Sequence, residues 1–259
     1  MPPPRQRPPR PVRAPRPGAA HLERDRSARG PREGRRRASH SLDSVLTEAV
    51  ALLDEHGEAG LNFRALAARL GGGVGSVYWY VSSKDELLDR AADHVLADVL
   101  TRVTGVGTTG DTDPVDDVRT IAVTLFDAIV ERPWLGSYFL RDTRVQPNAI
   151  RLYEKIGQQV LRLGLDDRRS FHAVSAVIGF VIGVAADMGQ QTPPAEVASG
   201  EMDRAEFLAA AVDGWRALDP DQFPYLHRIA DEFAVHDDAD QFRAGLDLLL
   251  AGLRLQAGR

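Results

Sequence analysis

The stretch from Leu61 to Lys84, LNFRALAARLGGGVGSVYWYVSSK, constrains this chain more than any other. Two short helical segments are broken by a run of three glycines. The second segment carries Ser76, Tyr78, Trp79 and Tyr80, a set too polar and too aromatic to serve as core alone. That combination suits a helix-turn-helix, in which one helix lies in a major groove while its ends grip phosphates.

Periodic apolar positions extend the reading along the chain. Leu42, Val45, Leu46, Ala49, Val50 and Leu53 mark one face of a helix from about Leu42 to His56, ended by Gly57 and Gly60. Asn62 is placed to cap the next helix, which stops near Leu70, with Leu61 and Leu66 at the positions of a hydrophobic staple. A third helix runs from about Val74 to Tyr80. Ser83 and Glu86 form a capping box that opens a long fourth helix, with Leu88, Ala91, Ala92, Val95, Leu96 and Val99 as its buried stripe. Further helices are expected over about Val115 to Glu131, Trp134 to Leu140, Asn148 to Leu163, Arg168 to Gly189, Asp203 to Ala217 and Asp240 to Leu255, with a short one around Tyr225 to Phe233. Gly105 to Pro114 and Thr192 to Gly200 read as loops. Strand signals are nearly absent, so the fold class is all-α: an N-terminal three-helix helix-turn-helix domain followed by a larger helical C-terminal domain.

The domain boundaries follow composition. Residues 1–38 are rich in arginine and proline and poor in large apolar side chains, which predicts a disordered arm. Residues 39–88 hold the helix-turn-helix, the fourth helix continues to about 104 as a connector, and 105–259 form a helical ligand-binding and dimerisation domain. The net charge of −5 hides an asymmetry: the arm has twelve arginines against Glu23, Asp25 and Glu33, a balance of +9, which leaves −14 for the rest. Between 39 and 88 only Arg64, Arg69 and Lys84 face seven acids, an acidic composition for a DNA reader. The arm reads either as a source of the missing phosphate attraction or as a bystander, a solubilising tail or an over-extended start of the coding region.

Several classes are excluded or disfavoured. Without cysteine there are no disulfides or thiolate metal sites, which fits a reducing, cytoplasmic location. The seven histidines show no pair at helical ligand spacing, so neither metal nor cofactor is expected. No apolar run reaches the roughly 20 residues of a membrane span; the longest, Ala173 to Ala186, reads as a helix buried on most sides. The basic start lacks the apolar stretch of a secretory signal. The glycine run lies between helices and so is no nucleotide loop, and no His and carboxylate pair suggests catalysis.

The order and spacing of LxxxALAxxLG, a short turn and GxxYWYVxxK resemble the TetR family of bacterial repressors over Ser41 to Leu88. The resemblance implies DNA contacts from Asn62, Arg64, Val74, Gly75, Ser76, Tyr78, Trp79, Tyr80 and Lys84. Arg64 can reach a phosphate or a guanine edge, Gly75 and Ser76 let the backbone approach, and Val74 can touch a thymine methyl. The tyrosine hydroxyls offer hydrogen bonds to phosphates, and Trp79 can pack on the sugar-phosphate wall. Tyr78 reads alternatively as core, as Val77 and Val81 do; Arg69 reads as surface. Lys84 opposes the macrodipole at the start of the fourth helix, a position that favours a visiting anion. Two departures stand out: Gly73 replaces the usual capping serine, which leaves a loose turn, and Tyr80 stands where histidine is common.

The resemblance also implies a homodimer on a palindromic double-stranded DNA operator, joined through a four-helix bundle. The expected interface is Val174, Val177, Ile178, Val181 and Ile182, with Gly179 and Gly183 permitting close approach, and Phe242, Leu246, Leu249, Leu250 and Leu253. The same stripes read alternatively as the protomer's own core. A largely apolar small-molecule ligand would sit among Phe126, Trp134, Tyr138, Phe139, Tyr153, Phe171 and Met188, with Asp187 and Gln190 as polar contacts. The function implied is a ligand-responsive transcriptional repressor, not an enzyme. The competing readings are a non-catalytic helical interaction protein and an all-α enzyme.

Overall fold

The computed structural model describes residues 40–141, 146–190 and 203–258. The expectations for the basic arm and for the loop from Thr192 to Gly200 fall outside them. Among the described residues there are eleven helices and no strand: α1 Leu42–Gly60, α2 Phe63–Arg69, α3 Val74–Val77, α4 Lys84–Arg102, α5 Pro114–Val130, α6 Pro133–Phe139, α7 Pro147–Leu161, α8 Asp167–Gln190, α9 Arg204–Arg216, α10 Pro224–Ala234 and α11 Asp238–Gln256.

Most helices begin where a short polar side chain can hold an otherwise unpaired amide of the first turn. Ser41, Asn62, Ser83, Asp113, Asp203 and Asp237 each accept a backbone N–H in this way, and Asp203 and Glu206 form a reciprocal capping box. The box expected at α4 is only half formed. Ser83 accepts from the Glu86 N–H, but the Glu86 carboxylate reaches one residue further back, to the N–H and hydroxyl of Ser82 at 2.7 and 2.6 Å. Those two bonds, with Arg90 nearby, pull its pKa down to about 2. Gly57 breaks helical geometry inside α1 (φ 61°, ψ −171°), yet the chain resumes for one more short turn to Gly60.

Helices α1 to α4 bury the expected stripes, with Leu61, Leu66, Val77 and Val81 closing the small core; Leu42 alone of the α1 stripe stays exposed. In the larger C-terminal part α8 lies against α5, α6, α7 and α11. Phe126 of α5 stacks on Phe242 of α11 with ring centroids 3.6 Å apart, and Phe180 of α8 lies nearly parallel to Phe242 at 5.6 Å. Gly136 of α6 lets that helix touch α8, since a Cβ there would come within 2.9 Å of the Ala186 backbone. Helices α9 and α10 pack on each other through Trp215 and Phe233.

Two expectations about α8 change. Its segment Asp167–Met188 is long and apolar enough to cross a membrane by length and composition, although no run of that kind was expected. It is also buried on one side only: Val174, Val177, Val181 and Ala185 face inward, while Phe171, Ser175, Ala176, Gly179 and Gly183 are exposed. A helix with one side packed into a folded body passes the same length and composition test as a membrane span.

Candidate DNA interface and ligand cavity

Closure of the turn between α2 and α3 starts with Gly71. Its φ of 65° puts it in the left-handed region, and the amides of Gly71 and Gly72 return to the carbonyls of Ala68 and Ala67 at 3.1 and 2.9 Å. These are the paired bonds of a Schellman motif, so the glycine run ends α2 in a defined way instead of leaving the turn loose. Gly73 opens α3 without a side-chain cap. In compensation Ser76 donates both its amide and its hydroxyl to the Gly73 carbonyl, at 2.9 and 2.6 Å.

The regular part of α3 stops at Val77, and Tyr78 to Tyr80 continue as a turn held by the Val77 carbonyl. Val77 is buried and anchors the segment. Tyr78 and Trp79 project outward, 58% and 88% exposed. Tyr78 meets Phe63 of α2 edge to face at 4.8 Å, which fixes the ring while leaving its hydroxyl free to face a partner. Asn62, Arg64 and Val74 line one open groove between the starts of α2 and α3.

The second feature is an apolar cavity of about 340 Å³ in the C-terminal part. It is lined by Leu96 of α4, Leu125 of α5, Phe139 of α6, Ala149, Ile150, Leu152 and Tyr153 of α7, and Ile178 and Ile182 of α8. The Tyr153 hydroxyl is the one polar side-chain group in that lining. Burying an unpaired charge among these side chains would cost several kcal/mol.

Family models match both parts of the chain: that for bacterial regulatory proteins of the tetR family over residues 45–91, and that for the tetracyclin repressor-like C-terminal domain over 107–257. The chain belongs to the TetR family. A TetR regulator from Streptomyces coelicolor is 35% identical, with 84% of this chain and 99% of that one covered and a TM-score of 0.71. Apo ActR from the same organism is 25% identical over 85% of this chain and 98% of its own, with a TM-score of 0.70. The transcriptional repressor DrrR1 of Streptomyces coeruleorubidus is 29% identical over 89% of this chain and 81% of its own length.

In this TetR-family protein several expected DNA contacts already have internal partners. The Lys84 amine donates to the Glu58 carbonyl at 2.7 Å, so the exposed C-terminal end of α1 supplies the negative partner that an anion was expected to provide. The Tyr80 hydroxyl donates to the His40 carbonyl. Asn62 uses its amide to cap α2 and to reach the Gly60 carbonyl. Arg69, read as plain surface, forks onto Glu55 at 2.7 and 2.8 Å and onto Glu48 at 3.0 Å, bonds that raise its pKa and tie α2 to α1. Arg64, Tyr78 and Trp79 remain outward, Gly75 is exposed, and Val74 and Ser76 are half-buried.

Of the expected pocket residues, only Phe139 and Tyr153 line the cavity. Phe126 is locked in the aromatic stack, and Phe171 is exposed. The Trp134 indole N–H donates to Asp54 of α1 at 2.7 Å, and the Tyr138 hydroxyl to Asp89 of α4 at 3.1 Å. Asp187 is exposed and Met188 packs on the core; the Gln190 side chain falls outside the described residues. Aliphatic side chains do most of the lining, and nothing in their spacing separates a cavity wall from core.

The expected dimer residues turn inward as well. Val174, Val177, Val181, Phe242, Leu246, Leu250 and Leu253 are buried within one chain, Leu249 is half-buried, and Ile178 and Ile182 line the cavity. The hooks that join the two parts of the chain were invisible in sequence. Besides Asp54 and Asp89, Glu58 of α1 takes a forked pair from Arg141 at 2.9 and 2.6 Å, which lowers its pKa, and Asp93 of α4 holds the Asn148 amide at the start of α7 at 2.7 Å. Their partners lie 49 to 83 positions apart along the chain.

Proposed function

We propose that this protein is a cytoplasmic, sequence-specific repressor that binds a palindromic operator as a homodimer and leaves it when an uncharged, largely apolar small molecule fills the cavity between α4, α5, α7 and α8. The observation that carries the DNA reading is the outward projection of Tyr78 and Trp79 beside Arg64, on a helix-turn-helix whose apolar residues are otherwise spent on its core. Asn62, Val74, Gly75 and Ser76 complete the surface that meets the groove. Tyr80 and Lys84 act there through the backbone they hold, with their remaining hydrogen-bonding capacity directed to phosphate.

One such module makes too few contacts for a specific site, so two copies at fixed spacing are required. The surface we assign to the dimer is the outer side of α8 and α11: Phe171, Ser175, Ala176, Gly179 and Gly183 on one, Leu248 and Leu255 on the other. Small residues allow close helix approach, and the two leucines are the large apolar groups left uncovered on α11. Arg254 pairs with Asp113 and Asp116, and Arg119 with Asp247, which fixes α11 on α5 and keeps that leucine face outward.

Helix α4 couples the two activities. It starts directly behind the recognition segment, carries Leu96 into the cavity, and is latched to α7 by Asp93 and Asn148. A ligand that displaces Leu96 tilts α4 and changes the spacing of the paired recognition segments, provided that it prefers the tilted arrangement. ActR has been solved in complex with actinorhodin, which supports a ligand-holding role for the corresponding part of this fold. Sequencing of genomic fragments retained by the purified protein, followed by gel shift, tests the reading. Enrichment of one palindromic sequence is expected; absence of duplex binding at low salt would sink it and favour a DNA-silent interaction protein.

A further inference from the structure

Glu58, near the end of α1, holds a cation at its backbone and another at its side chain. Its carbonyl accepts from the Lys84 amine at 2.7 Å, and its carboxylate takes the forked pair from Arg141 at 2.9 and 2.6 Å. Lys84 opens α4 just after the recognition segment and is exposed. An ammonium has three donors, and the Glu58 carbonyl occupies one of them. The carboxylate feels both cations: the Arg141 hydrogen bonds hold it below the ordinary carboxylate range, and the Lys84 charge lowers it further.

Arg141 comes from the other part of the chain. It lies just past Phe139, a wall of the cavity, and its amide returns to the Tyr138 carbonyl at 3.1 Å, so the last turn of α6 sets where the guanidinium stands. Among the described residues it is the cation paired with the Glu58 carboxylate. Its charge also bears on Asp85, the residue after Lys84. Without Arg141, the Glu58 carboxylate would lose its partner on the very residue that Lys84 already holds. A carboxylate, like a phosphate, is an anion that takes charge-assisted hydrogen bonds, so the two compete for one ammonium.

We propose that Arg141 is a positioning residue for DNA binding: by neutralising Glu58 it keeps the Lys84 ammonium available to a backbone phosphate. The inference rests on the DNA reading above and adds to it a residue of the C-terminal part that sets the charge of the N-terminal one. When Arg141 is absent, the Glu58 carboxylate takes up Lys84, and one phosphate contact per protomer is lost.

The test uses the full chain with Arg141→Gln, with Lys84→Met, with both changes, and with Arg141→Gln joined to Glu58→Gln. Binding to an enriched fragment and to an unrelated duplex is measured by fluorescence anisotropy across a salt series. Each single change should flatten the log–log salt slope by about 0.9 per protomer and weaken both duplexes alike, on the order of 10-fold per protomer at 0.1 M salt. Lys84→Met should take nothing further once Arg141 is gone, and Glu58→Gln should return most of the slope to the Arg141→Gln chain. An unchanged slope with Arg141→Gln, additive losses in the Arg141 and Lys84 double variant, or no recovery with Glu58→Gln overturns the proposal and leaves the pair as a tie between α1 and the end of α6. Failure of the unaltered chain to bind any duplex instead overturns the reading beneath it.

Discussion

Leu248→Ala is the sharpest probe of how this protein pairs. Leu248 and Leu255 stand two turns apart on the outer face of α11, 77% and 79% exposed in the single chain. Truncation to alanine removes three carbons, each worth about 0.8 kcal/mol when buried. Scaled to the three-quarters of the side chain that a partner could cover, the loss is about 1.8 kcal/mol per copy. A two-fold symmetric interface carries the residue twice, so the dimer should weaken by about 3.6 kcal/mol, roughly 400-fold in dissociation constant. Sedimentation equilibrium over a dilution series reads that constant directly, and circular dichroism checks that helix content is unchanged. Leu246→Ala is the control: Leu246 is fully buried within the protomer, so its truncation should lower the melting temperature and cost about 2–5 kcal/mol of folding stability. If Leu248→Ala pairs as tightly as the unaltered chain, the outer face of α11 is not the interface and the assignment fails.

Three further expectations concern the N-terminal part. Arg64→Ala should weaken specific binding by about 1–3 kcal/mol and relax preference at one base position, which footprinting on the enriched fragment would detect; an unaltered footprint and affinity would remove Arg64 from the interface. Gly71→Ala should destabilise by roughly 1–2 kcal/mol because its φ is positive, whereas Gly73→Ser, at a site where an added Cβ meets nothing within 4 Å, should stabilise by a few tenths of a kcal/mol through a new cap; thermal melts compare the two. Glu86 has a folded pKa of about 2, below the ordinary glutamate value of about 4.5, so its contribution to stability is complete above about pH 4.5 and is lost as pH falls towards 2. Carboxyl NMR titration should find it ionised at pH 3, and Ser82→Ala should move its midpoint upward; a midpoint near 4.5 in the unaltered chain would contradict the hydrogen-bond geometry.

Local signals explain why so much of the helical layout was readable in advance. Asn62 and Ser83 announce helix starts because a cap acts within three residues, and apolar periodicity announces the buried side because a helix repeats every 3.6 residues. The helix-turn-helix is legible for the same reason: its turn, its capping residue and its aromatic segment lie within 24 consecutive positions. What failed was the assignment of faces and partners. Periodicity says that Val174, Val177 and Val181 share a side, but not whether a neighbouring helix of the same chain or a second copy covers it. Aromatic side chains drew attention as pocket residues, yet Trp134 and Tyr138 turned to Asp54 and Asp89, and aliphatic groups formed most of the cavity wall.

By itself the sequence determined most of the helices, the caps at Asn62 and Ser83 and the glycine turn with the aromatic segment after it, all set by interactions within a few residues or by a repeat along one helix. Tertiary structure alone decided which side of α8 and α11 stays open, where the cavity lies, and which cations remain free for DNA. Those properties depend on where distant helices pack, and a partner 50 or more positions away leaves no periodic trace in the residues that it will touch.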